Sequence, residues 1–249
     1  MKNLVYQYYI PYEAGDKDIG GASMPDWALS GSASAKSYAA HCGADYMLSH
    51  DRLYPHLDPR LESLRLIHDP TFEQYDHILS LDLDMIIATR ENIFELPIQD
   101  IAMVHELGVF AGNSAGWINK IMNHPMEQRG IRAYGRHLFG SDWDFPKSTL
   151  YPQEQFRYMN GGLQLWSAAG RLKARESFRC VNHYYAHTRY TEQMYINLQL
   201  SQPMFNVTEL DTSWNRLAYQ WPGRNPDGKI NHFLGQSKSM MSQYGNLHQ

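Results

Sequence analysis

The chain is poor in cysteine, has no strong excess of either charge and lacks long apolar runs. Only two cysteines occur among its 249 residues, Cys42 and Cys180, far apart in sequence. They make neither a disulfide framework nor a zinc site, and two free thiols suit a reducing compartment. No stretch of about 18 uninterrupted apolar residues is available to cross a membrane. The first apolar segment, Leu4 to Ile10, is interrupted by Gln7 and stopped by Pro11, which is too short for the centre of a signal peptide. These absences predict a soluble, cytoplasmic protein. The formal charge is −4 with Lys and Arg scattered along the chain, so no basic surface for nucleic acid is evident. Internal repeats and low-complexity segments are also missing.

What is present is ordinary globular material with a high aromatic share. Hydrophobic residues make up 43% and charged residues 19%, and the length fits one large α/β domain, residues 1–249, better than two. Aromatic residues reach 13%, including 17 Tyr and 6 Trp. Their flat apolar faces and polar tips suit sugar rings and nucleobases, and equally an ordinary core.

Patterning gives an alternation of elements. Leu4 to Ile10 is β-branched and aromatic and predicts a first strand. The stretch rich in Gly, Ser, Asp and Pro that follows predicts a long loop to about Ser34, of a length used for binding lids. A helix is expected from Ala33 to His41, a short strand at Tyr46 to Leu48, and a helix from Pro59 to Ile67 with Leu61, Leu64 and Ile67 on one face. The clearest strand runs from His77 to Ile87. Further on, a strand is expected from Ile101 to Phe110, a helix at Gly112 to His124, and irregular chain from Arg129 to Gln155. A glycine pair and a strand follow in Phe156 to Trp166, helices in Ala168 to Tyr185 and Thr191 to Leu200, and a loop-rich tail from Pro222. Strands alternating with helices imply an α/β/α sandwich on a mostly parallel sheet.

The strand from His77 carries Asp82 and Asp84 amid apolar neighbours. On a strand, alternation would point both carboxylates to one face. Two acids on an apolar strand need compensation, because buried bare charge is costly. A hard divalent cation with oxygen ligands provides it and can hold diphosphate oxygens at the same time. In an open α/β sheet the ligand crevice lies beyond the carboxyl ends of the strands, where this pair would sit.

Here the sequence resembles the GT-A glycosyltransferases, in which a phrase like Tyr75-Asp76-His77-Ile78-Leu79-Ser80-Leu81-Asp82-Leu83-Asp84-Met85-Ile86-Ile87 carries the metal-binding Asp-x-Asp. Three further segments resemble the glycogenin-like and bacterial galactosyltransferase-like (family 8-type) enzymes. They are Met159-Asn160-Gly161-Gly162, the helix start Thr191-Glu192-Gln193-Met194-Tyr195-Ile196-Asn197, and His232-Phe233-Leu234-Gly235-Gln236-Ser237-Lys238. They follow the family's order along the chain. Two departures stand out: Glu192 replaces the usual Asp, and Ser239-Met240 replaces the Pro-Trp that normally follows the lysine.

The resemblance implies a GT-A fold, with a nucleotide-binding part at about 1–90 and an acceptor-binding part at about 91–249. It implies Mn²⁺ or Mg²⁺ on Asp82, Asp84 and His232, and a nucleotide-sugar donor, a UDP-sugar, passed to a glycan or other hydroxyl acceptor. Donor contacts would come from Tyr8, Tyr9, Ile10 and Tyr12 beside the base and ribose, and from Arg65, Asp82, Leu83, Asn160, Gly161 and Gly162. Gly235 and Lys238 would meet the diphosphate, and Glu192 and Gln193 would face the anomeric carbon. Retention of configuration is the expected outcome. The alternatives are an inverting enzyme with Glu192 as base, a sugar nucleotidyltransferase and a non-enzymatic carbohydrate-binding module. Against the nucleotidyltransferase, the Gly15 to Gly31 stretch holds only one base, Lys17.

Overall fold

The computed structural model describes residues 1–11, 23–105, 159–178, 191–217 and 227–244, with Val181 and isolated positions between 129 and 142. Tyr12, the expected helix at 112–124 and all but a few residues of the 129–155 segment lie outside the described residues. The elements, in chain order, are β1 (Asn3–Tyr8), α1 (Asp26–His41), β2 (Asp45–Ser49), a 3₁₀ turn (Pro59–Leu64), α2 (Arg65–His68), β3 (His77–Leu81), β4 (Met85–Ile87) and β5 (Ile101–Val104). After them come β6 (Leu163–Ser167), α3 (Ala168–Ser177), α4 (Thr191–Leu200), β7 (Val207–Leu210), β8 (Arg216–Leu217), β9 (Ile230–His232), a 3₁₀ segment (Gly235–Met240) and α5 (Met241–Tyr244).

Six strands form the main sheet in the order β2-β1-β3-β6-β5-β7. All run the same way except β6, which is antiparallel to both β3 and β5. Strand alternation feeds two separate cores. Leu4, Tyr6, Ile78, Ile101, Met103 and Trp166 pack with side chains of α2, α3 and α4 on one face. Val5, Leu79, Ala102, Val104 and Leu165 pack with Ala35, Tyr38 and Ala39 of α1 and with Trp214, Leu217 and Ile230 on the other. A sheet covered on both faces is why its strands read as apolar runs. The expected α/β sandwich with a mostly parallel sheet is therefore what the chain forms.

Three local expectations are corrected. The strand expected from His77 to Ile87 is two strands: β3 stays in the main sheet, while β4 leaves it to pair with β9 in a second sheet ordered β4-β9-β8. Asp82, Leu83 and Asp84 form the turn between them, so the two acids are gathered by a bend and not by strand alternation. Second, α1 starts at Asp26, two turns before Ala33. Its serines and glycine look like a loop, yet they sit within a helix whose contact face is built from alanines, Gly31 and Tyr38. Ala28, Gly31, Ala35, Tyr38 and Ala39 are buried at helical spacing, and a Cβ at Gly31 would lie 1.8 Å from the Leu83 carbonyl oxygen. Close approach to the acidic turn outweighs poor intrinsic propensity. Residues 26–34 thus cannot belong to a loop-like lid. Third, the tail is not uniformly loop-rich, since it supplies β9, the 3₁₀ segment and α5. Pro59 to Leu64 also adopts a 3₁₀ path before α2. No helix among the described residues is long and apolar enough to cross a membrane.

Candidate active site

The Asp82-Leu83-Asp84 turn is pinned through its backbone by three parts of the chain. The Asp82 N–H donates to the Gly162 carbonyl at 2.9 Å, and the Phe233 N–H donates to the Asp84 carbonyl at 2.7 Å. Gln7, buried on β1 where it interrupts the apolar pattern, donates its Nε2 to the Asp82 carbonyl at 3.1 Å. A polar residue inside a strand is tolerated there because it satisfies a turn that would otherwise lack a partner.

The turn faces His232, the last residue of β9. Ligand atoms of Asp82, Asp84 and His232 all lie within 4.8 Å of one another. The His232 Nε2 is 3.1 Å from Asp84 Oδ1 and 3.8 Å from Asp82 Oδ2. It is buried, yet makes no aligned hydrogen bond. Its other nitrogen, Nδ1, lies 3.0 Å from Asn215 Oδ1. The Lys238 Nζ reaches Asp84 Oδ2 at 2.9 Å and sits 4.2 Å over the Trp27 ring, a cation–π contact. The Asp84 side chain is 8% exposed and that of Asp82 46%.

Charge in this cluster is strongly coupled. Burial alone would raise the Asp84 carboxyl, but His232 and Lys238 outweigh it and hold it at about 2. Asp82 is pushed up to about 6, first by desolvation and then by the neighbouring Asp84. Burial works against charging His232, and the two carboxylates overcome it and raise its pKa. A divalent cation fits these residues. They offer two hard carboxylates, an imidazole with an orphaned buried nitrogen, and a space kept clear by Gly162. A Cβ there would lie 2.7 Å from His232 Cε1, 2.8 Å from Met85 Cε and 2.9 Å from Asp82 Oδ2.

The turn carrying Gly162 is gripped by α4. Gln193 Oε1 accepts from the Gly161 N–H at 2.8 Å. Four residues on, Asn197 accepts from the Met159 N–H at 2.7 Å and donates to the Met159 carbonyl at 2.8 Å. Asn160 Oδ1 accepts from the Gly162 N–H at 3.0 Å and from Asn215 Nδ2 at 2.7 Å. The Gln193 and Asn197 spacing along the helix is thus the spacing of a backbone clamp. Glu192, one residue before Gln193, faces the cleft instead. Its Oε2 is buried without a partner, and burial followed by the Asp82 charge raises its pKa to about 7.

The cleft beside the acidic turn is lined by Tyr8, Tyr9, Ile10, Trp27, Arg60 and Glu192, with Pro59, Leu81 to Asp84 and Lys238 completing it. Tyr8 and Tyr9 donate their hydroxyls to the Arg60 and Ser23 carbonyls, both at 3.1 Å. Of the expected donor residues, Tyr8, Tyr9, Ile10, Asp82, Leu83 and Lys238 line this cleft. Asn160, Gly161 and Gly162 form the turn behind Asp82 and His232. Gly235 adopts φ +57° and starts the 3₁₀ segment that carries Lys238, a conformation glycine takes without cost. Arg65 does not line the cleft. Its guanidinium is held by Asp69 at 2.8 Å, Ser49 Oγ at 2.9 Å and the Asp51 carbonyl at 3.1 Å. Sequence reasoning missed Trp27, Arg60 and Asn215, which belong to no recognised motif. The buried Gln7 was a visible signal, as a polar residue in an apolar strand.

No protein-family model matches the chain, and no curated protein matches it significantly. Solved structures do. The galactosyltransferase LgtC in complex with donor and acceptor sugar analogues superimposes with a TM-score of 0.56 at 11% identity, over 98% of this chain and 95% of that one. A glycosyltransferase involved in glycosylation of the major capsid of PBCV-1 gives 0.51 at 12% identity, over 98% of both chains. Mouse xyloside xylosyltransferase 1 gives 0.50 at 13% identity, over 95% of this chain and 99% of that one. The fold is that of the GT-A-type glycosyltransferases.

Proposed function

We propose that this chain is a glycosyltransferase that moves a sugar from a nucleotide-sugar, a UDP-sugar, to a hydroxyl of a glycan or other acceptor. The observation that carries the proposal is the meeting of Asp82, Asp84, His232 and Lys238 at one side of a single cleft on a GT-A fold. Asp82, Asp84 and His232 would hold Mn²⁺ or Mg²⁺. When bound, the cation supplies positive charge against the diphosphate oxygens, including the charge that grows as the nucleoside diphosphate departs. Lys238 adds a second positive charge toward the same diphosphate. The Trp27 ring beneath it keeps the ammonium at the cleft. Tyr8, Tyr9 and Ile10 supply the wall for base and ribose, in a part of the chain, about 1–90, assigned to the nucleotide. Residues 91–249 are assigned to the acceptor.

Glu192 decides between two stereochemical readings. We favour retention, supported by the Asn-Gly-Gly and His-x-x-Gly-x-x-Lys resemblance, with Glu192 orienting the donor sugar. Its buried, unpartnered oxygen and a pKa of about 7 favour a second reading, in which it is the general base of an inverting enzyme. The test is a donor screen: incubate the chain with a panel of nucleotide-sugars and Mn²⁺, measure nucleotide release, and follow the first product by proton NMR. A donor and product of like configuration support retention. A β-linked product from an α-linked donor promotes Glu192 to base, and absence of release from every donor sinks the activity.

A further inference from the structure

We propose that Asn215 and Asn160 are positioning residues that lock His232 in its metal-binding form, so that Asn160 serves the metal centre and not the donor sugar. This rests on the metal-centre reading above and adds two residues to it. A main-chain amide can only donate, so the Asn160 atom 3.0 Å from the Gly162 N–H is its carbonyl oxygen. The Asn215 atom 2.7 Å from that oxygen must then be the amide nitrogen. Asn215 therefore presents its own carbonyl oxygen to His232 Nδ1 at 3.0 Å, and Nδ1 must carry the hydrogen. A neutral imidazole holds one N–H. In that neutral form, the one that can bind a cation, the lone pair is therefore on Nε2, the atom turned toward Asp82 and Asp84.

Both amide orientations, and the tautomer of the neutral ring, thus follow from one backbone N–H. Reversing either amide would bring like groups face to face inside a region closed to water. Asn215 is fully buried, and Asn160 and His232 are 5% and 2% exposed. The relay is held at its base by α4, through Gln193 on Gly161 and Asn197 on Met159. The same turn clears the cation's space through Gly162 and orients its imidazole ligand through Asn160.

The test is a Mn²⁺ titration of the full chain, followed by electron paramagnetic resonance of the free ion, which needs no substrate. Asn215→Leu should weaken Mn²⁺ binding about 10–100-fold, the usual cost of losing a partner behind a metal-bound histidine. Asn160→Leu should do the same. Asn160→Asp keeps an acceptor for both Gly162 and Asn215 and should bind no more weakly than the unaltered chain. Circular dichroism establishes that each variant is folded, and the two Asn160 variants carry the test should Asn215→Leu fail to fold. Unchanged affinity in a folded leucine variant, or equal losses for Asn160→Leu and Asn160→Asp, would overturn the relay alone. Absence of Mn²⁺ binding by the unaltered chain would overturn the metal centre itself.

Discussion

Gly161 and Gly162 are adjacent, yet only the second should be sensitive to replacement by alanine. A methyl at position 162 would stand 2.7 Å from His232 Cε1, 2.8 Å from Met85 Cε and 2.9 Å from Asp82 Oδ2. Such distances are shorter than any carbon tolerates, so something must move. The Met85 methyl is flexible and can turn away. The His232 ring cannot, because Asn215 holds its far side. Asp82, half exposed, is the group that yields, and it is one of the proposed metal ligands. Overpacking of this kind costs about 1–3 kcal/mol, or a melting temperature lower by about 2–4 °C per kcal/mol in a chain of this size. Displacing one ligand should weaken Mn²⁺ at least about tenfold, by comparison with losses behind metal ligands. At position 161 the methyl would meet the Gln193 Cβ at 3.3 Å and its Oε1 at 3.4 Å, which a shift of a few tenths of an ångström relieves. Neither glycine has the positive φ that would make alanine strained in itself. The assay is paired: thermal melting with and without Mn²⁺, and nucleotide release from the best donor. Gly162→Ala should lose its metal-dependent stabilisation and most of its activity, while Gly161→Ala keeps both. Wild-type Mn²⁺ affinity in Gly162→Ala would refute the reasoning that this glycine clears the cation's place.

Three more expectations follow from the same site. Asp84→Asn, which removes the acid shared by His232 and Lys238, should abolish transfer, and EDTA should do so reversibly; full activity after exhaustive chelation rules out the metal. Lys238→Met should leave Mn²⁺ binding intact or tighter, since an ammonium 2.9 Å from Asp84 opposes a cation there. It should also weaken UDP binding about 10–100-fold, the worth of one charge-assisted hydrogen bond; calorimetry showing equal UDP affinity returns Lys238 to a structural role. Glu192, with a folded pKa raised from 4.5 to about 7, binds more protons folded than unfolded between those values. Its contribution to stability is complete below about pH 4.5 and is lost as pH rises through about 7. Urea unfolding of the metal-free chain should therefore show Glu192→Gln gaining on the wild type between pH 5 and pH 8, and parallel profiles would count against a buried acid.

The sequence by itself determined the class of fold and singled out the acidic, histidine and lysine side chains that cluster at the turn. Apolar strands alternating with helices could bury both faces of a sheet in few other ways, and Leu4, Val5 and Tyr6 divide between the two cores as strand periodicity requires. Asp82, Asp84, His232 and Lys238 were legible because oxygen and imidazole ligands at recognisable motif positions are chemically conspicuous. How they meet was decided by tertiary structure. Periodicity over residues 77–87 describes a single strand, and only the pull of β9 on β4 and of Gly162 on Asp82 bends it into a turn. The early start of α1 was hidden for the same reason. Ser30, Gly31 and Ser32 look like loop residues locally, and become helix because Gly31, lacking a Cβ, lets the helix lie against Leu83. Asn215 had no local signature at all. Its role comes from standing between His232, 17 residues away, and Asn160, 55 residues away, a position that hydrogen-bond geometry assigns and sequence spacing does not.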